Sequence, residues 1–256
     1  MSETIVLITG PISNLAPGLG KALLETYLAR PNHTVIGTVR DLSAPATKSL
    51  DSIPKASGTK LLTFQLEVTN PEHYPALISA ITSAGIHHLD IVIANSGVST
   101  TADPLASVSI EKINYMFDVN ANGVLRLYQA VRGLLDSSPT GKPKWVTLGS
   151  SAGSLSAIEQ WGTHLFAPYA ISKAAVHWIT SAIHVSEKSW TVFSAHPGLV
   201  QTEMGNSGAR SVGLEEAPTT IEESNTKTIA VIDAATRETA SGKLLDTLEG
   251  GKEMPW

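Results

Sequence analysis

The feature that most constrains this chain is where its apolar residues fail to alternate. Ile5-Val6-Leu7-Ile8 and Ile91-Val92-Ile93-Ala94 are apolar at successive positions, as strands are when both of their faces are covered. Such runs recur between longer segments of helical period. Strands are expected at Thr4–Thr9, Thr34–Val39, Leu61–Leu66, Leu89–Ala94, Lys144–Leu148, Trp190–Ala195 and, briefly, Lys243–Leu245. Helices are expected at Leu19–Ala29, Pro71–Ser83, Ile110–Phe117, Val124–Leu135, Pro168–Ser186 and Ile221–Ala235. In the first helix Leu23, Leu24, Tyr27 and Leu28 fall on one stripe. This alternation predicts the α/β class: a doubly wound parallel sheet with helices on both faces. No Gly/Ser/Pro-rich linker interrupts it, so residues 1–256 are expected to form a single domain. Only Gln201–Thr220, polar and containing Gly and Pro, breaks the rhythm. It reads either as a lid beside a site or as a surface loop.

Composition removes whole classes of chemistry. The chain has no cysteine, which excludes disulfides, thiolate metal sites and a Cys nucleophile. Lys and Arg number 18 against 23 Asp and Glu, a formal net charge of −5. That is the wrong sign for holding nucleic acid or an anionic membrane. The aliphatic runs fall far short of the ~20 residues that cross a bilayer, and no basic segment precedes a long apolar run near Met1. A soluble, cytoplasmic protein acting on a small molecule is expected. The eight His include His87-His88 and the helical pair His177 and His184. None has an acid at metal-ligand spacing, so no metal is expected, and His177 and His184 are expected to pack or to touch a subunit. Trp145 and Trp190 start strands and read as core or interface.

Two features at strand ends carry chemistry. Thr9-Gly10 closes the first strand and Gly18-Leu19-Gly20 opens the first helix. Glycine lets a backbone approach a pyrophosphate, and a helix N-terminus offers free N–H groups; ordinary turn chemistry explains such glycines as well. The second strand ends Thr38-Val39-Arg40-Asp41. An acid at this point suits a ribose 2′-hydroxyl, whereas a guanidinium suits a 2′-phosphate. Arg40 therefore points to NADP(H) over NAD, the alternative being an exposed Arg at a strand tip. Farther on, Tyr169-Ala170-Ile171-Ser172-Lys173 puts Tyr169 and Lys173 on one helical face. An ammonium near a phenol favours the phenolate and makes a group able to pass a proton, although this spacing alone is common. Gly149-Ser150-Ser151-Ala152-Gly153, Asn95-Ser96-Gly97 and His196-Pro197-Gly198, with Thr202 following, all close strands at the same sheet edge.

With these residues in place, the chain resembles the short-chain dehydrogenase/reductase family along essentially its whole length. The matched elements are Thr9-Gly10…Gly18-Leu19-Gly20, Asn95-Ser96-Gly97, Asn120 in Val119-Asn120-Ala121-Asn122-Gly123, Ser150, Tyr169 with Lys173, and Pro197-Gly198…Thr202. Within it the chain looks most like the fungal norsolorinic acid ketoreductase-like group. That likeness rests on Ala29 to Ile36, on His196 to Gly205 including Val200 and Met204, and on the Pro255-Trp256 ending. The resemblance implies a Rossmann-type fold and a set of roles. Tyr169 would donate a proton to a carbonyl oxygen, and Ser150 would hydrogen-bond that oxygen. Lys173 would lower the Tyr169 pKa and hold the nicotinamide ribose, and Asn120 would support a water leading to Lys173. Gly10, Gly18, Leu19, Gly20, Arg40, Glu67, Asn95, Gly97, Pro197, Gly198, Val200 and Thr202 would line the cofactor. A homodimer or homotetramer through the helices at Val124–Leu135 and Pro168–Ser186 is also implied.

Three departures from the family pattern matter. Seven residues, Pro11 to Pro17, separate Gly10 from Gly18, where the family usually has three; the expectation is an outward bulge that leaves the cradle intact. Glu67 stands where the family usually has Asp beside the adenine. The stretch from Ser150 to Tyr169 is long and carries Leu155, Trp161, His164 and Phe166. Leu155, Trp161 and Phe166, together with Met204, would suit a flat apolar substrate, or the stretch packs on itself. The resulting expectation is an NADPH-dependent ketoreductase acting on a bulky apolar or aromatic carbonyl compound of secondary metabolism. The alternatives are reuse of the fold for cyclisation or isomerisation, with the cofactor auxiliary, and a non-catalytic nucleotide sensor.

Overall fold

The computed structural model describes residues 3–12 and 18–256. Its strands are β1 (Thr4–Thr9), β2 (His33–Val39), β3 (Lys60–Gln65), β4 (Ile91–Ala94), β5 (Lys144–Leu148), β6 (Thr191–His196), β7 (Leu244–Asp246) and β8 (Lys252–Met254). They form one sheet in the order β3-β2-β1-β4-β5-β6-β7-β8. Every pairing is parallel except the last, β7 with β8. The helices are α1 (Leu19–Leu28), α2 (Pro45–Lys48), α3 (His73–Ser83), α4 (Ile110–Phe117), α5 (Gly123–Asp136), α6 (Ile158–Trp161), α7 (Ala167–Ser186), α8 (Glu203–Ser211), α9 (Ile221–Ala234) and α10 (Arg237–Ala240).

The lack of alternation follows from two apolar layers. Ile5 and Leu7 of β1 pack with Leu77, Leu127 and Val176 from α3, α5 and α7. Val6 and Ile8 pack on the other face with Leu23 and Leu24 of α1 and Ile232 of α9. The edge strand β3 is the exception, with half-exposed residues through its middle. Trp145 and Trp190 are core residues, both edge-on to Tyr128. The order of the strands reverses beside β1, which leads to β2 on one side and borders β4 on the other. A crevice at the carboxyl ends of β1 and β4 is where such sheets take ligands.

Most expected elements differ from the observed ones only by a residue or two at their ends. One correction concerns Gln201–Thr220. It is not irregular throughout: α8 lies inside it, started by the Thr202 hydroxyl, which accepts the Gly205 N–H at 3.0 Å. Glycines at 205 and 208 argue against a helix in sequence, but the cap satisfies its first turn. A Cβ on Gly205 would also lie 2.9 Å from the Val200 carbonyl carbon, so only glycine lets α8 turn so close to the preceding strand end. The excursion is closed by the Gln201 N–H donating to the Thr219 carbonyl at 2.7 Å. The short α2, α6, α10 and β8 were not expected either.

Candidate active site

The glycine turn is built by contact with the end of β4. Gly10 has φ +61, a conformation that favours glycine. A Cβ there would stand 2.7 Å from Ser96 Oγ, and one on Gly20 would stand 2.7 Å from the Gly10 carbonyl oxygen. Asn95 ties the two strand ends together: its Nδ2 donates to the Thr9 and Gly10 carbonyls at 2.9 and 3.0 Å. The Thr9 hydroxyl accepts the N–H groups of Asn95 and Ser96, each at 3.0 Å. The sequence names Thr9 only as the neighbour of Gly10; its hydroxyl, at the last position of the strand, is what ties β1 to the loop after β4. Gly18 caps α1 in an extended conformation without a side-chain cap, and among the described residues no heavy atom beyond its chain neighbours lies within 4 Å of where its Cβ would be. The first backbone N–H groups of α1, beside Leu19 and Gly20, have no intrahelical partner, and an anionic pyrophosphate fits a helix start of this kind. The expected bulge at Pro11–Pro17 falls mostly on residues 13–17, outside the described residues.

Arg40 stands exposed just past β2. Its neighbour Asp41 is engaged elsewhere, accepting the N–H and the hydroxyl of Ser43 at 2.8 and 2.6 Å. Among the described residues no carboxylate pairs with Arg40, which leaves a guanidinium fork at the carboxyl end of β2. Glu67, after β3, turns its carboxylate onto Thr69, accepting the hydroxyl at 3.2 Å. Its N–H donates to His73 Nδ1 at 2.9 Å.

Ser150, Tyr169, Lys173 and Asn120 come together at the carboxyl ends of β4 and β5. Ser150 follows β5, and its hydroxyl accepts the Ala152 N–H at 3.2 Å. Tyr169 and Lys173 lie in the first turns of α7, where Pro168 suits the helix start. Lys173 is buried, with Nζ donating to the Leu148 carbonyl at 2.7 Å and lying 5.6 Å from the centroid of the Tyr169 ring. Burial lowers the Lys173 ammonium to about 8. Burial raises the Tyr169 phenol above its ordinary value, and a hydrogen bond with Ser150 pulls it partly back. The expected lowering of the phenol is thus outweighed: desolvation dominates, and Tyr169 is a protonated phenol at neutral pH.

Asn120 is buried in a π-helical turn, Asp118–Asn122, that joins α4 to α5. Its amide accepts the Val98 N–H at 2.8 Å, and donates to the Val98 carbonyl and to Ser172 Oγ, each at 2.9 Å. Ser172 in turn donates to the Tyr169 carbonyl at 2.7 Å. The Asn120 side chain is thereby committed to fastening the β4 loop to α7. Gly97 is small for the same reason, since a Cβ there would meet Asn120 Oδ1 at 3.2 Å.

After β6, Gly198 has φ +86, and the Pro197 carbonyl accepts the Ser224 hydroxyl at 2.8 Å. Val200 is buried and pairs with Thr219. The stretch between Ser150 and Tyr169 folds into a 3-10 turn, α6 and a second 3-10 turn. Phe166 forms a bridge to Asp103 in the loop after β4. Trp161 and Phe166 are half-buried, whereas Leu155 is 71% and Met204 42% exposed. His184 meets Ser241 Oγ at 2.7 Å and His177 is buried, so both pack within the chain. Among the described residues no three His, Asp or Glu side chains gather to hold a metal ion.

Residues 4–212 match the family model described as short chain dehydrogenase. A short-chain dehydrogenase of Neurospora crassa, srdF, is 37% identical over 99% of this chain and 98% of its own length. The norsolorinic acid ketoreductase nor1 of Dothistroma septosporum is 34% identical over 99% of this chain and 93% of its own. Among solved structures, an NADPH-bound carbonyl reductase from chicken fatty liver superposes with a TM-score of 0.83 over 100% of both chains. At 24% identity that likeness speaks to the fold.

Proposed function

The chain belongs to the short-chain dehydrogenase family of nicotinamide-dependent oxidoreductases, and on that footing we propose that it is an NADPH-dependent ketoreductase for a bulky, largely apolar or aromatic carbonyl compound of secondary metabolism. The observation that carries the reading is the meeting of Ser150, Tyr169 and Lys173 beside the glycine cradle of β1 and α1. The substrate class is supported by the ketoreductase relatives and by the apolar side chains carried by the segments that follow Ser150 and Thr202: Leu155, Trp161, Phe166 and Met204.

In this reading Gly10, Gly18, Leu19 and Gly20 hold the pyrophosphate, and Arg40 clamps the 2′-phosphate. Glu67, Asn95, Gly97, Pro197, Gly198, Val200 and Thr202 line the rest of the cofactor cleft. The bound cofactor supplies hydride to the carbonyl carbon. Tyr169 Oη gives its proton to the carbonyl oxygen, a step suited to a phenol that burial keeps protonated. Ser150 Oγ orients the same oxygen. Lys173, held near 8, releases and regains a proton at Nζ close to neutral pH and so recharges Tyr169. Asn120 holds α7 and the β4 loop in register around them.

The protein is further read as a cytoplasmic homodimer or homotetramer. No helix among the described residues is long and apolar enough to cross a membrane. Ile171, Trp178 and Val185, seven residues apart along α7, are exposed, Trp178 by 73%; an apolar stripe of this kind suits a subunit contact. A monomer by sedimentation would remove that part.

The test is NADPH oxidation against a panel of aromatic ketones and quinones, with product analysis. Reduction to the alcohol is expected. Turnover without NADPH would point instead to cyclisation or isomerisation, and rapid reduction eliminates a nucleotide sensor. Replacing Arg40→Ala should lower the preference for NADPH over NADH by about ten- to a hundredfold, the worth of a charge-assisted contact. An unchanged preference would take Arg40 out of the cofactor site.

A further inference from the structure

Two histidines outside the expected catalytic set hold the main chain of Ser150 and Ser151. The Ser150 N–H donates to His177 Nε2 at 3.4 Å, and the Ser151 N–H donates to His196 Nδ1 at 3.3 Å. The rings arrive from different elements. His177 lies one turn beyond Lys173 on α7, and His196 is the last residue of β6.

The loop is shaped for this contact. A Cβ on Gly149 would collide with Ser194 Oγ and stand 2.9 Å from His177 Nε2, and one on Gly153 would stand 2.8 Å from His177 Cε1 and 2.6 Å from the Lys173 carbonyl carbon. Glycine at both positions is what lets the loop rest on the imidazole. From the far side Trp256 meets the His177 ring edge-on, with centroids 5.1 Å apart. The Trp256 carbonyl accepts the N–H and the hydroxyl of Ser156 at 3.1 and 2.8 Å. The ring that backs His177 is thus tied to the segment that follows Ser150.

We propose that His177 and His196 are positioning residues for the reduction, accepting the Ser150 and Ser151 N–H groups as neutral imidazoles and so aiming the Ser150 hydroxyl at the reacting oxygen. This rests on the reductase reading above. The two rings must then be opposite tautomers, with His196 protonated on Nε2 and His177 on Nδ1, a buried nitrogen that meets no acceptor in hydrogen-bonding geometry among the described residues. An imidazolium has no acceptor, so protonating either ring sets donor against donor. Burial lowers His177 to about 3, the Lys173 ammonium and His196 adding to the effect while the Gly153 carbonyl pulls the other way. Burial also lowers His196; Asp246 on β7 opposes this and Lys173 reinforces it. Both rings are neutral where the enzyme works, and activity declines on the acid side as either is protonated.

The test has a spectroscopic arm that needs no turnover. In the full chain labelled with 15N-histidine, two-bond proton–nitrogen spectra from about pH 5 to about pH 8 cover the ordinary histidine range. His177 is expected to stay neutral with its proton on Nδ1, and His196 to stay neutral with its proton on Nε2. A reversed tautomer, or titration of either ring near its ordinary value, overturns the proposal.

The kinetic arm uses NADPH and 9,10-phenanthrenequinone as the carbonyl probe. His177→Leu and His196→Leu should each lower kcat about tenfold, roughly one hydrogen bond's worth, with KM for NADPH unchanged. His177→Gln and His196→Asn place an amide oxygen where the accepting nitrogen was. They should restore turnover, each removing its own ring's share of the acid-side decline. Folded Leu variants with wild-type kcat, or Gln and Asn variants no better than Leu, overturn the assignment. If the Leu variants do not fold, the amide variants and the spectra still decide it. A wild-type protein that reduces no probe defeats the reductase reading, while the tautomers are judged on their own.

Discussion

The two ends of the sheet treat charge in opposite ways. At the amino end, the buried Asp90 carboxylate accepts the Ile5 N–H at 2.8 Å and the Ser138 hydroxyl at 2.6 Å. Glu187, also buried, accepts Arg132 Nε at 2.6 Å together with the Tyr128 hydroxyl. Arg237 donates to the carbonyls of Glu187, Trp190 and His184, closing the end of α7. At the carboxyl end, the buried Lys173 ammonium has one carbonyl acceptor, that of Leu148, and no carboxylate partner among the described residues. Tyr169 is desolvated, and Arg40 has no carboxylate partner among the described residues. One end satisfies its buried carboxylates with several donors; the other buries an ammonium against a single carbonyl, an arrangement suited to a proton-transfer site.

The largest expected effect breaks the reactive end alone. Tyr169→Phe removes the transferred proton and should lower kcat on the order of 10²–10⁴-fold. Its melting temperature should fall by no more than the loss of about one hydrogen bond, that with Ser150, would cause. Turnover at the wild-type rate, read from NADPH absorbance with an aromatic ketone, would remove Tyr169 from the mechanism.

How much of this contrast could be read from the sequence depends on how local each signal is. The α/β class was legible because buried parallel strands write themselves as unbroken runs such as Ile91-Val92-Ile93-Ala94. Ser150, Tyr169 and Lys173 were legible because each sits in a short motif at a strand end or helix start. The pKa of Tyr169 was not, because its direction is set by desolvation in the assembled cleft rather than by the Lys four residues away. His177 was readable only as a residue that packs or touches a subunit: its contact with Ser150 requires α7 to lie across the loop after β5. The helix inside Gln201–Thr220 was hidden because propensity and capping disagree there, and a single hydroxyl, that of Thr202, settles it.

The next effect breaks the satisfied end. Arg132 is 50% exposed while Glu187 is 6% exposed at the side chain, so the pair is worth less than a fully buried one. Glu187→Ala should cost about 2 kcal/mol, lowering the melting temperature by roughly 4–8 °C in a chain of this size. Reductase activity below the transition should be unchanged. Burial pushes the Glu187 carboxyl up, but hydrogen bonds from Arg132 and Tyr128 outweigh it and hold the group below its ordinary 4.5. Its contribution is therefore present above that value and lost as pH falls through the lowered one. The gap between wild type and Glu187→Ala should close in acid.

A smaller effect of opposite sign belongs to Lys173. An ammonium taken from water for one carbonyl partner is a net cost. Lys173→Met should stabilise the fold by about 1 kcal/mol while abolishing reduction, a rise of roughly 2–4 °C in melting temperature. A fall in stability alongside the loss of activity would show that Lys173 also holds the fold together, and the two ends would then not differ as described.

The smallest effect sharpens the comparison through pH. The Lys173 ammonium sits at about 8 in the fold against an ordinary 10.5, burial being the cause. Between these values the unfolded chain binds the proton that the folded chain has released, so stability from this group rises with pH. Below the lower value the folded protein carries the full cost of the buried charge. The melting-temperature advantage of Lys173→Met should therefore be complete near about pH 7 and shrink toward about pH 10. Differential scanning of the two proteins side by side cancels the titration of the exposed lysines they share. A gap that closes in alkali for Lys173, set against one that closes in acid for Glu187, is the signature of a sheet with one strained end and one satisfied end. A Lys173 gap that stays constant with pH would mean that the buried charge is not the source of the cost.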